Sequence, residues 1–453
     1  MIEETLASLA RSVCVAFTAV GFGRLTSPLL TSPAIAPSVK RTLFVLCALP
    51  VFAPTLLTGY AYARWSLPLV HLPLAKEASY LLLLALRFAP LGVLLYWIFP
   101  PSLCDSGRHC LQLAKASSGL RIPLRVRLRA FADTPGIVFL ATALLAFHEF
   151  EIASLTGVET WSVRLFDAHA GGIPWGEAMA AASAPIAVQL GLAALCVWAL
   201  RRQLFATGAE GCTRKPTAGR CAAASGVTLL SACGIVVLPM GLIAAEASAG
   251  MSQLYSSFAM QKEILASLIF GLSGGALAFV VSSAVPMRCL GLLAIPGLCG
   301  SLILALSAVR IFQWDALRAV YDSPLPLIGV IVLLLLPVAF LLKVLRSKLA
   351  ANGASHVASL AQNWSPRWRM TGRGAFGSIA ILCLLAYVEL TASAILAPPG
   401  MTTAPARLYN LMHYGQTEVL SAMVMVVFLV PVAMVALLWT GIEAVVYGQG
   451  RRG

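Results

Sequence analysis

Runs of about 20 apolar residues recur along the whole chain, separated by shorter stretches that carry the charges and many of the prolines. Crossing ~30 Å of hydrocarbon at 1.5 Å per residue takes about 20 residues. Eleven runs of that kind are read, at 7–27, 43–63, 78–99, 135–157, 183–200, 226–246, 264–285, 289–311, 326–346, 375–396 and 418–440. They are continuous and do not alternate between apolar and polar, which predicts helices and not barrel strands. Within lipid a helix pairs its backbone N–H and C=O groups inside its own segment, so the pattern is self-consistent. The expected fold is an all-α, polytopic transmembrane helix bundle of about 11 spans.

The order of the runs repeats. Three spans, a basic loop, a span, an outer loop and a further span occur twice, with the basic loops at 101–133 and 347–374. The segment 201–225 carries Arg201, Arg202, Gly208, Gly211, Pro216 and Gly219, which reads as a connection between halves. The predicted organisation is a first transmembrane half at 1–205, a cytoplasmic linker at 206–225 and a second half at 226–453. The second half carries one additional leading span, 226–246. Internal duplication of this kind is characteristic of transporters.

Composition agrees with lipid as the solvent. Of the residues 59% are hydrophobic and 11% charged, against about a quarter charged in average globular chains. The net charge of +14 would fit nucleic acid were it not so unevenly distributed. Loops on one side hold 23 of the 32 Lys and Arg but 4 of the 18 Asp and Glu. This is the positive-inside signature, and it predicts an outer N-terminus and a cytoplasmic C-terminus with no nucleic-acid partner. The acidic start Met1-Ile2-Glu3-Glu4-Thr5 does not resemble a secretory signal, which opens on basic residues. Most of the 11 cysteines sit inside apolar runs as small hydrophobes.

Candidate chemistry is sparse. None of the seven lysines follows a glycine, so the phosphate-cradling Gly-Lys-Ser/Thr loop is absent and the energy source is another chain or an ion gradient. No two of the six histidines stand at i, i+4, and no metal site is expected. Glu149 and Glu389 lie at the outer ends of apolar spans, where an acid either lines a pathway or gate or already sits among headgroups. Phe147-x-Glu149-Phe150 and Tyr387-x-Glu389-Leu390 share aromatic, acid and apolar residues at one spacing, 240 residues apart. Arg87 within span 78–99 either pairs across the bundle or snorkels. Pro50, Pro54, Pro90, Pro296 and Pro337 read as kinks, and Gly271, Gly274, Gly275, Gly297 and Gly300 as sites of close helix approach.

One stretch resembles a known family. Tyr387-Val388-Glu389-Leu390 continues through Pro398-Pro399-Gly400 to Arg407-Leu408-Tyr409-Asn410, and Phe147 to Gly157 is its counterpart in the first half. These segments resemble the permease subunit of binding-protein-dependent ABC importers, of the fused two-half, ferric-iron type. The resemblance implies a pathway or gate role for Glu149, Glu389, Arg407 and Tyr409. It also implies two cytoplasmic coupling helices that dock on an ATPase, carried here by Ala114, Gly119 and Arg121 in the first loop. In the second loop they are carried by Ala358, Asn363 (where the family has glycine) and Pro366. The implied partners are an ATP-binding subunit, which holds the ATP, and a periplasmic solute-binding protein. The chain would then be a bacterial inner-membrane transport subunit and not an enzyme, with no cofactor of its own. The alternative is an ion-gradient-driven carrier or another polytopic membrane enzyme.

Overall fold

The structure, a computed structural model, describes residues 1–99, 113, 133–204, 217–257, 260–349, 367–415 and 418–450. Every regular element among them is helical. Eight helices are long and apolar enough to cross a membrane. Two helix pairs, each bent at a short break, raise the number to ten if each pair is one span. The chain is therefore a multi-pass membrane protein. The predicted span 135–157 is divided: its described helix, Thr134–Phe147, has 14 residues and is about 21 Å long.

Contacts gather the chain into two compact units, Met1–Gly241 and Leu242–Gly453. The first contains α1 (Ile2–Thr31), α2 (Pro37–Phe52), α3 (Thr55–Ser66), α4 (Pro73–Ile98) and α5 (Thr134–Phe147). It continues with α6 (Glu151–Thr156), α7 (Trp161–Ala170), α8 (Trp175–Ala181), α9 (Ser183–Leu204) and α10 (Ala218–Ala232). Helix α11 (Leu238–Ser257) contains the boundary. The second unit then runs through α12 (Gln261–Ala284), α13 (Met287–Leu293), α14 (Ser301–Phe312), α15 (Arg318–Tyr321) and α16 (Leu325–Leu349). It ends with α17 (Arg373–Tyr387), α18 (Thr391–Leu396), α19 (Ala404–Met412) and α20 (Glu418–Gly450). Of the expected linker 206–225, residues 218–225 are helical and open α10.

The two units repeat one packing scheme. Helix α1 lies against α4 and α5, as α12 lies against α16 and α17; α6 packs on α3 as α18 packs on α14. Small residues make the approaches possible. A Cβ at Gly92 of α4 would sit 2.2 Å from the Ala19 carbonyl oxygen of α1, and one at Gly275 of α12 would sit 2.5 Å from the Cys383 amide nitrogen of α17. With lipid outside, such close van der Waals packing is what holds membrane helices together.

One predicted span in each half, 43–63 and 289–311, is not continuous. The pair α2 and α3 is bent by 74°, and α13 with its following 3₁₀ turn, Pro296–Cys299, is bent by 94° against α14. In the first unit Pro54 forces Ala53 into extended backbone (ψ 138°) and ends α2 at Phe52. In the second the break falls at Gly300 (φ 83°). Pro50, Pro90 and Pro337 sit inside helices that continue through them; at Pro90 the Leu86 carbonyl, four residues back, receives Ser231 Oγ of a neighbouring helix in place of the missing N–H.

Helices α10 and α11 are joined by a π-turn at Cys233–Val237. The loosened carbonyls there receive donors from α3: Tyr62 Oη donates to Gly234 O at 2.6 Å and Thr58 Oγ1 to Ile235 O at 3.4 Å. Ser231 Oγ donates to the Leu86 carbonyl of α4. This extra span is thereby fastened to the broken helix of the first unit.

Candidate functional site

The two acids singled out from the sequence occupy one structural role. Each stands in a short gap between a span and a short helix, Glu149 between α5 and α6 and Glu389 between α17 and α18. Glu149 Oε1 accepts from the Ile152 amide at 2.6 Å and Oε2 from the Ala153 amide at 3.2 Å. Glu389 accepts from the Ala392 amide at 3.0 Å and the Ser393 amide at 3.1 Å. In both units the carboxylate meets the orphan N–H groups three and four residues ahead, so it caps the short helix and offsets the positive end of its dipole.

Both caps are buried, 6% exposed at Glu149 and 9% at Glu389. A hydroxyl from a neighbouring element completes each. Tyr80 Oη of α4 donates to Glu149 at 3.0 Å, and Ser301, the first residue of α14, hydrogen-bonds Glu389. The acids' own carbonyls are also engaged, by Ser162 Oγ and Ser393 Oγ, each at 2.8 Å.

The segment beyond each cap is repeated as well. The chain turns through a left-handed glycine, Gly157 (φ 67°) or Gly400 (φ 78°), a conformation that costs a residue with a Cβ roughly 1 kcal/mol. Three residues later Thr160 or Thr403 precedes the next helix, α7 or α19. The fourth residue of that helix is an arginine that reaches the third residue of the unit's first helix. Arg164 Nη1 pairs with Glu4 at 2.8 Å, and Arg407 Nη1 pairs with Glu263.

Among the residues expected to act together, Glu389 and Arg407 belong to separate contacts, the first to the helix cap and the second to Glu263. Tyr409 is buried on α19, its ring edge-on to His413 at 4.7 Å. Ala114, Gly119, Arg121, Ala358, Asn363 and Pro366, the expected coupling residues, lie outside the described residues.

Reading the sequence missed the arginine clip in the first unit, although a signal was present. Arg164-Leu165-Phe166-Asp167 matches Arg407-Leu408-Tyr409-Asn410 at a distance of 243 residues. Leu165 and Leu408 are both fully packed. The shift from 240 to 243 residues arises between the cap and the glycine, where the second unit adds three residues around Pro398-Pro399.

The first unit carries charges that the second lacks. Glu151, the first residue of α6, accepts a hydrogen bond from Thr55 Oγ1 at the start of α3; its counterpart is Thr391. His148 Nδ1 lies 3.0 Å from Gln189 Nε2, and its counterpart is Val388. Arg87, in the middle of α4, is 8% exposed, and its Nε and Nη1 have no hydrogen-bond partner. No family model, curated protein or solved structure matches this chain.

Proposed function

We propose that the chain is the membrane-embedded permease subunit of a binding-protein-dependent importer, with both permease halves fused in one polypeptide. The observation that carries this reading is the duplicated outer module. An acid-capped short helix, a left-handed glycine turn and an outer helix clipped by arginine to the unit's first span recur in both units at matching registers. Such duplication of a membrane unit is how transporters build a pathway from equivalent elements. The resembling segments of the sequence coincide with this module.

In this reading the chain has 11 spans, each bent pair and each capped pair counting as one, with the N-terminus outside and the C-terminus in the cytoplasm of a bacterial inner membrane. Exposed aromatic residues fit helix ends at the membrane–water interfaces, while the sidedness rests on the uneven Lys and Arg of the loops. Trp65, Trp175, Trp314 and Tyr414 fall at ends assigned to the outer side and Trp198 at an end assigned to the cytoplasm, as rings gather at the headgroups of both faces. A separate ATPase docks on the basic loops 101–133 and 347–374, a periplasmic binding protein delivers the solute, and ferric iron is the solute that the resemblance names.

The test is reconstitution. The chain purified in mild detergent is expected to retain an ATPase subunit, and bulky replacements of Gly119 and Asn363 are expected to release it. Uptake into proteoliposomes should require ATP and ignore ionophores. Uptake abolished by an ionophore and indifferent to ATP would instead support a gradient-driven carrier, the reading that the buried charges of the first unit favour.

A further inference from the structure

Among the described residues of the first unit, Arg87 is a buried charge with two nitrogens left without an acceptor. It lies about 21 Å along α4 from its start, at 1.5 Å per residue, in a helix that is 72% buried over its apolar window. Two of its three guanidinium nitrogens are enclosed without an acceptor. A cation in that setting costs several kcal/mol unless an opposite charge or a bonding partner offsets it. The charges that act on it are Glu151 first and Glu149 second. An anionic ligand would meet two carboxylates beside the arginine, so the natural acceptor is one of those carboxylates.

Glu149 is committed to two amides and to Tyr80. Glu151 is placed differently. It opens α6, a helix of six residues that packs on both α3 and α4. Its carboxylate reaches Thr55, the first residue of α3 beyond the 74° bend. The same carboxylate is thus bonded to a hydroxyl on the broken span while its charge acts on the cation of the unbroken one.

The second unit serves as an internal control. There Thr391 replaces Glu151, and α16 carries no charged residue from Leu325 to Leu342. Its acid cap, bend and short helix form all the same. Neither charge is needed to build the fold, and the two are present or absent together.

We propose that Glu151 and Arg87 form a charge latch on the broken span of the first unit, in which Glu151 alternates between Thr55 of α3 and Arg87 of α4. With Glu151 on Thr55, the second half of the broken span is fastened to α6. With Glu151 on Arg87, α6 is fastened to α4, and α3 keeps only its packing on α6 and its bonds to the 233–237 turn, which loosens its start at the Ala53-Pro54 bend. The latch makes mobility of α3 a property of the first unit alone.

The experiment uses the full chain in lipid nanodiscs, with amide hydrogen exchange followed by mass spectrometry and with thermal unfolding. Arg87→Leu removes the second position of the latch. It should slow exchange in 55–66 by about tenfold, the protection expected when one opening route is closed, with no fall in unfolding temperature. Glu151→Thr leaves Arg87 without its counter-charge and should lower the unfolding temperature. Adding Arg87→Leu to it, which copies the second unit, should restore that temperature. Unchanged exchange in 55–66 of Arg87→Leu overturns the latch. So does a double variant no more stable than Glu151→Thr, and if Glu151→Thr does not fold, failure of Arg87→Leu to rescue it has the same meaning.

Discussion

Arg407 reaches Glu263 from the fourth residue of its outer helix to the third residue of the second unit's first span. Arg164 reaches Glu4 at the same register in the first unit. The arginine of the second unit is the better enclosed, 31% exposed against 47%, and its acid the slightly more exposed, 17% against 11%. Exposed pairs contribute about 0–1 kcal/mol, so each clip positions its helix more than it stabilises the unit. Arg407→Ala is expected to lower unfolding stability by at most about 1 kcal/mol while raising proteolysis at 397–403. Arg164→Ala should behave alike at 157–160. Limited proteolysis in nanodiscs distinguishes this from a clip of no consequence, for which cleavage would not change.

The acid caps lead to a sharper expectation. Removing a carboxylate that serves two buried amides costs about 1–3 kcal/mol, so Glu149→Ala and Glu389→Ala should each lower the unfolding temperature. Glu149→Gln and Glu389→Gln retain an acceptor oxygen and should fall by less than half as much. If the acids instead act chiefly on the solute, the glutamine variants will keep full stability and lose uptake.

Gly400 adopts φ 78° with open space where a Cβ would stand. Any penalty of Gly400→Ala is therefore backbone strain alone, about 1 kcal/mol. Asparagine, which enters the left-handed region more readily, should recover part of that loss. Equal stabilities for the alanine and asparagine variants, by chemical denaturation in detergent, would count against the strained turn.

Gly275 is constrained by contact and not by conformation. An added Cβ meets the Cys383 backbone at 2.5 Å, and neither helix can give way without moving its own neighbours. Gly275→Val is expected to cost at least 1–3 kcal/mol and to separate α12 from α17. Gly241→Val, where nothing lies within 4 Å, is the matched control and should remain close to the parent protein in thermal stability.

The long apolar runs were legible because each is long enough to cross the hydrocarbon, and a run of about 20 apolar residues has few other places to be buried. The two breaks were not. Hydropathy runs smoothly across Ala53-Pro54 and across Gly300, since a bend changes direction without changing composition. Pro50 was as good a marker of discontinuity as Pro54 by sequence alone, yet α2 continues through Pro50 and stops before Pro54. Glu149 and Glu389 were recognisable as equivalent by spacing. That they cap short helices depends on where the preceding spans end, which is set by packing. The clip acids Glu4 and Glu263 looked like ordinary polar flanks of a span, because their partners lie more than a hundred residues away.

The partners that the capping acids and the clip arginines find on other spans precede them in the chain. Tyr80 and Thr55 precede Glu149 and Glu151, Ser301 precedes Glu389, Glu4 precedes Arg164 and Glu263 precedes Arg407. During biosynthesis each of these charged residues thus leaves the ribosome after its partner on the other span. The segments least able to enter the bilayer on their own have a prepared berth, and each unit can assemble in the sequence in which it is made.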